Sequence, residues 1–94
     1  MWQVFGSNRV AKLLKAIDKA VADKYKYAFS QLAENPEAGK LLKGYDNLRS
    51  FPLTTPGGEH RIIYQNKPEE RVVYVILIGK RGNVYDLLKR SNQK

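Results

Sequence analysis

The run Val72 to Ile78, Val-Val-Tyr-Val-Ile-Leu-Ile, constrains the fold more than any other stretch of the chain. It is far shorter than the ~20 apolar residues that a membrane-spanning helix needs, and its β-branched and aromatic content reads as a strand. Neighbouring residues of a strand face opposite ways, so a strand that is apolar at both parities must be covered on both faces. It belongs at the centre of a sheet, and the rest of the chain must supply its neighbours and covers. A chain of 94 residues has room for one such core. Residues 1–94 therefore read as a single domain with a radius of gyration of roughly 12 Å.

The covers come from the first third of the chain. Trp2 to Phe5 is a short apolar start, and Ser7 is a suitable N-cap for a helix that begins near Asn8. Val10, Leu13, Leu14, Ile17, Ala20 and Val21 then fall on one helical face, with Lys12, Lys15 and Lys19 opposite. Tyr25, Ala28, Phe29 and Leu32 continue as a second helix that stops at Asn35-Pro36, because proline disfavours a helical residue before it. The natural reading is a helical hairpin joined near Asp23 and Lys24. From residue 48 the period changes to two. Leu48 to Thr54 reads as a strand that Pro52 confines to an edge or a bulge. His60 to Gln65 and Arg71 to Ile78 are the next strands, with turns at residues 56–58 and 66–70. Gly79 to Asn83 reads as a loop, which leaves Val84 to Arg90 for a short C-terminal helix. The expected class is α+β, β-α-α-β-β-β, with a helical hairpin on one face of a small antiparallel sheet.

Charge and composition narrow the function. Seventeen basic and nine acidic residues give +8, and each half of the chain carries +4, so the positive field belongs to the fold and not to a tail. An anionic partner is implied. The absence of cysteine excludes thiol catalysis and thiolate metal sites, and one histidine cannot anchor a zinc centre. The N-terminus lacks the pattern of a signal peptide, and the expected location is the cytoplasm, with no membrane partner.

The remaining chemistry gathers around two strand ends. Glu59-His60-Arg61 enters a strand from a glycine turn, and Gly79 to Tyr85 leaves its neighbour. Alternation puts Glu59 and Arg61 on one face and His60 on the other, with Ile62 and Tyr64. Pairing of the two strands as a hairpin about residues 66–70 brings Arg61 and Arg81 toward one phosphate.

Three segments in order carry a resemblance that covers nearly the whole chain. They are Asn35-Pro36 with Gly39-Lys40-Leu41-Leu42-Lys43-Gly44, then His60-Arg61-Ile62-Ile63-Tyr64-Gln65, then Val75 to Arg81 with Val84-Tyr85. In these the sequence resembles the RelE/ParE toxin superfamily, in its RelE-like branch of ribosome-dependent mRNA endonucleases. The resemblance implies the toxin component of a type II toxin–antitoxin system. Such a toxin cleaves translated mRNA on the ribosome by 2′-hydroxyl attack, needs no cofactor or metal, and is held in a hetero-oligomer by a cognate antitoxin protein. It also implies that Arg61 and Arg81 hold the scissile phosphate and that Tyr85 orients a nucleotide. Guanidinium groups suit such a role, because their planar fork binds two phosphoryl oxygens at once.

The sequence departs from the family pattern at Leu48 to Thr54, where alternating lysines are expected and only Arg49 is basic. Glu59, His60 and Lys80 remain candidates for the general base, and Arg49, Lys80 and Lys43 for RNA contact. The rival reading is a ParE-like or inactive member that inhibits a protein target such as gyrase. The Arg81 and Tyr85 pair favours the nuclease, and the missing lysines favour the rival.

Overall fold

The structure, a computed structural model, describes residues 1–91; residues 92–94 of the expected 1–94 domain lie outside the described residues. The elements run β1 (Gln3–Gly6), α1 (Asn8–Ala16), α2 (Lys19–Glu34), β2 (Lys40–Leu41), β3 (Leu48–Thr55), β4 (Gly58–Lys67), β5 (Val72–Lys80) and α3 (Arg81–Ser91). The five strands form one sheet in the order β1-β5-β4-β3-β2, which places β5 and β4 inside it. The Cα radius of gyration is 12.5 Å, close to the value expected for this length. Among the described residues no helix is long and apolar enough to cross a membrane.

The sheet is mixed and not purely antiparallel. β5 pairs antiparallel with β4, and its other edge is taken by β1 in parallel, from Gln3 opposite Val72 to Gly6 opposite Val75. A central strand needs a backbone partner on each side, and the short apolar N-terminus is the segment that reaches the second side. The β4–β5 register shifts at Ile63 and Tyr64, which face Leu77 and Val75, so Ile76 is an extra residue in β5. This bulge turns Leu77 to one face while Val73, Val75 and Ile78 pack on the other, which explains why the run is apolar at every position.

One face carries the helical hairpin. Val10 of α1 and Val21, Tyr25, Ala28 and Leu32 of α2 pack with Ile62, Tyr64, Val73, Val75 and Ile78. Ser7 caps α1 as expected, its Oγ accepting from Val10 N at 3.3 Å. The two helices separate at Ile17 and Asp18, not at Asp23 and Lys24. The Asp18 carbonyl accepts the first bonds of α2, from Val21 N at 3.1 Å and Ala22 N at 2.9 Å. The apolar spacing runs in register through this break, so periodicity alone does not reveal it.

The other face is covered by α3, whose Val84 and Leu88 lie one turn apart and pack on Ile63 and Leu77. β5 continues to Lys80 and α3 starts at Arg81, so the expected loop at residues 79–83 does not exist. Gly82 and Asn83 look like turn residues, yet they fall in the first helical turn, where N–H groups have no intrahelical partner and poor helix formers cost least. The strand β2 is likewise absent from the expected order. It has two residues, Lys40 and Leu41, paired with Ser50 and Arg49. Pro52 lies past the end of β2, where its missing N–H breaks no ladder on that side.

Candidate active site

A cleft of about 570 Å³ opens on the α3 side of the sheet, between β2, β3, β4 and the first turns of α3. Its walls are Lys40, Leu41, Leu42, Lys43, Ser50, Pro52, Arg61 and Tyr85. Three of these are cations and none is a carboxylate, so the cleft suits an anion.

Each side chain arrives by strand parity. On β3, Ser50 and Pro52 face the cleft, while Arg49 and Phe51 face the helical hairpin. On β4, Arg61 faces the cleft beside Pro52, its cross-strand partner. The Arg61 side chain is only 14% exposed; its Nη1 donates to the His60 carbonyl at 2.9 Å and lies 3.9 Å from Glu59 Oε1. The backbone contact holds the guanidinium, whereas the Glu59 contact is long and Glu59 is 59% exposed, so that pair contributes little to stability. Tyr85 reaches the cleft from α3, and its Oη is 2.8 Å from Ser50 Oγ, which fixes the phenol against the β3 wall.

The structure thus brings together Arg61, Tyr85 and Lys43, with Glu59 at the rim on Arg61's face of the strand. Arg81 is exposed at the first residue of α3, one turn before Tyr85 and on the same side of the helix, outside the cleft lining. Three expected site residues lie elsewhere. Arg49 sits on the hairpin face, where its Nη1 donates to the carbonyls of Gly39 at 2.7 Å and Glu37 at 3.2 Å. It braces the chain segment before β2 and does not reach the cleft. Lys80 is the cross-strand partner of His60 and shares its face.

His60 is 8% exposed, and its Nδ1 is 2.6 Å from the hydroxyl of Tyr25 on α2. Burial, reinforced by the positive charge of Lys80, pushes the imidazole pKa down. Burial pushes the Tyr25 phenol up to about 12 against the opposing effect of a hydrogen bond from the Gly79 backbone. A neutral Tyr25 and a neutral His60 therefore share one hydrogen bond behind the sheet, with the imidazole tautomer setting which of them donates. This pair ties α2 to the ends of β4 and β5 from which Arg61 and Arg81 emerge.

Two cleft residues with polar side chains, Lys40 and Ser50, are not candidates from the sequence. Alternation around Pro52 was a signal for Ser50. Lys40 lies in the Gly39 to Gly44 segment of the resemblance but has no periodic signal of its own, since a strand of two residues leaves no such trace.

The family model of ParE-like toxins of type II bacterial toxin–antitoxin systems matches residues 4–89. The chain belongs to this family. Solved structures of RelE toxins share its architecture. Escherichia coli RelE in the intact RelBE toxin–antitoxin complex is 28% identical, with a TM-score of 0.73 over 86% of this chain and 98% of that one. Isolated E. coli RelE in one crystal form is 28% identical, with a TM-score of 0.72 over 97% and 99%. RelE in the archaeal RelE–RelB complex of Pyrococcus horikoshii has the same fold at 22% identity, with a TM-score of 0.65 over 86% and 96%. No curated protein sequence matches the chain. This ParE-like toxin is RelE-like in its architecture, with helices on both faces of the mixed sheet as described above.

Proposed function

We propose that this toxin is a ribosome-dependent endoribonuclease that cleaves translated mRNA in the cleft between β2, β3, β4 and α3. The observation that carries this reading is the cleft itself: Arg61, Lys40 and Lys43 around a tyrosine hydroxyl fixed by Ser50, with no carboxylate in the lining. In the reaction the 2′-hydroxyl oxygen of one nucleotide attacks the adjacent phosphorus. The O2′–P bond forms as the P–O5′ bond breaks, leaving a 2′,3′-cyclic phosphate and a 5′-hydroxyl end. The 2′-hydroxyl proton passes to a general base and O5′ takes up a proton. Negative charge builds on the non-bridging oxygens, and a preorganised guanidinium in a partly dehydrated cleft stabilises it. Arg81 and Tyr85, one helical turn apart, extend the contact along the RNA. Glu59 is the base candidate on the face of Arg61, whereas His60 is turned away and bonded to Tyr25.

The toxin acts in the cytoplasm on ribosome-bound mRNA and is held inactive in a hetero-oligomer with a cognate antitoxin. The RelE–RelB complexes among its structural relatives support such a partner. One observation favours the rival reading, a binder of a protein target such as gyrase: β3 gives the cleft Ser50 and Pro52 and no cation. The two readings separate in one experiment, which maps mRNA ends on translating ribosomes after the toxin is added. New 5′-hydroxyl ends within codons are expected. Intact mRNA with gyrase inhibition would establish the rival.

A further inference from the structure

The charge on the far wall of the cleft comes from an unexpected strand. β3 lies between β4 and β2, and the residues it turns to the cleft, Ser50 and Pro52, are neutral. Its one cation, Arg49, faces the other way and is bonded to the carbonyls of Glu37 and Gly39. Across β3 from Arg61, the cation is Lys40 of β2. Lys40 is the cross-strand partner of Ser50, so the two side chains share a face, and the Ser50 hydroxyl is the group that holds Tyr85.

The reach is sufficient. Arg61 is opposite Pro52 and Lys40 is opposite Ser50, on either side of β3. Strands about 4.8 Å apart and a rise of about 3.3 Å per residue put the two Cα atoms roughly 12 Å from each other. Two long side chains cover that distance and converge on one phosphate. Lys40 has no carboxylate within ion-pair distance among the described residues, so its ammonium is free to take an anion. Its backbone is held from behind: Gly39 N donates to Tyr64 Oη at 2.8 Å, the Gly39 carbonyl accepts from Arg49, and Leu42 N donates to the Leu48 carbonyl at 2.9 Å. A strand of two residues is thereby fixed on both flanks.

We infer that Lys40 is a second phosphate-contacting residue of this cleft, approaching from β2 the phosphodiester that Arg61 approaches from β4. The inference rests on the nuclease reading for its consequence in cleavage, but the contact itself is measurable without cleavage. The test compares wild type, Lys40→Ala, Lys40→Arg and, as a surface control on α1, Lys15→Ala. Single-turnover cleavage of mRNA on programmed ribosomes is measured first. Affinity for a non-cleavable 2′-O-methyl RNA oligonucleotide is then measured across a salt series. Lys40→Ala is expected to slow cleavage by about 100-fold, Lys40→Arg to retain most of the rate, and Lys15→Ala to match wild type. Loss of one phosphate contact should also make the slope of log affinity against log salt shallower by about 0.7, with urea stability unchanged. A Lys40→Ala variant within twofold of wild type in cleavage, with the same salt slope, overturns the inference. If wild type leaves mRNA intact, the nuclease reading fails, and the oligonucleotide slope alone decides whether Lys40 touches phosphate.

Discussion

Gly39→Ala is the substitution through which the packing behind the cleft can be tested most sharply. A Cβ at Gly39 would lie 2.6 Å from Tyr64 Oη, 2.8 Å from its Cε1 and 3.0 Å from its Cζ. Gly39 is not among the glycines at positive φ, so alanine suits its backbone and the cost is steric. Tyr64 cannot yield, because its ring is 0% exposed and its hydroxyl donates to the Pro36 carbonyl at 2.8 Å while accepting from Gly39 N at 2.8 Å. The segment before β2 must move instead, breaking the Gly39 N–H bond and disturbing the contact with Arg49. Overpacking costs about 1–3 kcal/mol and the lost bond about 1 kcal/mol, so the total is about 2–4 kcal/mol. For a domain of this size each kcal/mol lowers Tm by about 4–8 °C, which predicts a fall of about 8–32 °C. Gly82→Ala is the matched control: a Cβ there meets nothing within 4 Å, and the residue is helical. That variant should be unchanged or gain up to about 1 kcal/mol. The assay is urea unfolding followed by far-UV circular dichroism, with a thermal scan beside it. A Gly39→Ala loss below about 0.5 kcal/mol would refute the argument, since Tyr64 would then have room that the packing denies it.

Stability should also depend on pH through the buried pair behind the sheet. The His60 pKa is lowered in the fold, so below about pH 6.5 the unfolded chain binds a proton that the folded chain refuses, and stability should fall as pH drops from 7.5 to 5. Urea midpoints across that range check this, and a His60→Gln variant should show a weaker dependence. The Tyr25 pKa is raised to about 12, so its stabilising contribution is complete below pH 10 and is lost between pH 10 and 12, by about 2–3 kcal/mol. A midpoint flat over that interval would contradict the burial of its hydroxyl. Ser7→Ala should cost about 1 kcal/mol by removing the α1 cap, read as a lower urea midpoint with an unchanged slope.

Much of this architecture is legible from residue type and period. Val72 to Ile78 points to a covered central strand, Ser7 to the start of α1, and Asn35-Pro36 to the end of α2. The break at Asp18 is hidden because Val10, Leu14, Ile17 and Val21 keep one apolar period across it. The start of α3 is hidden because Gly82 and Asn83 are turn formers that a first helical turn tolerates. Within the candidate site, parity separates Arg61 from His60 at the sequence level, and the same reasoning applied to Arg49 depends on knowing the register of β3. Lys40 could not be found this way. Its place is set by pairing with Ser50, a contact between distant segments that no local pattern encodes.

If the cleft on the α3 face does the chemistry and the hairpin face does not, Arg61 is the residue on which cleavage depends most. This dependence is tested most directly by single-turnover cleavage of ribosome-bound mRNA with Arg61→Ala, with urea stability measured on the same preparation. The expected result is a loss of at least about 100-fold with stability within about 1 kcal/mol of wild type. An Arg61→Ala toxin that folds normally and cleaves at the wild-type rate would contradict it.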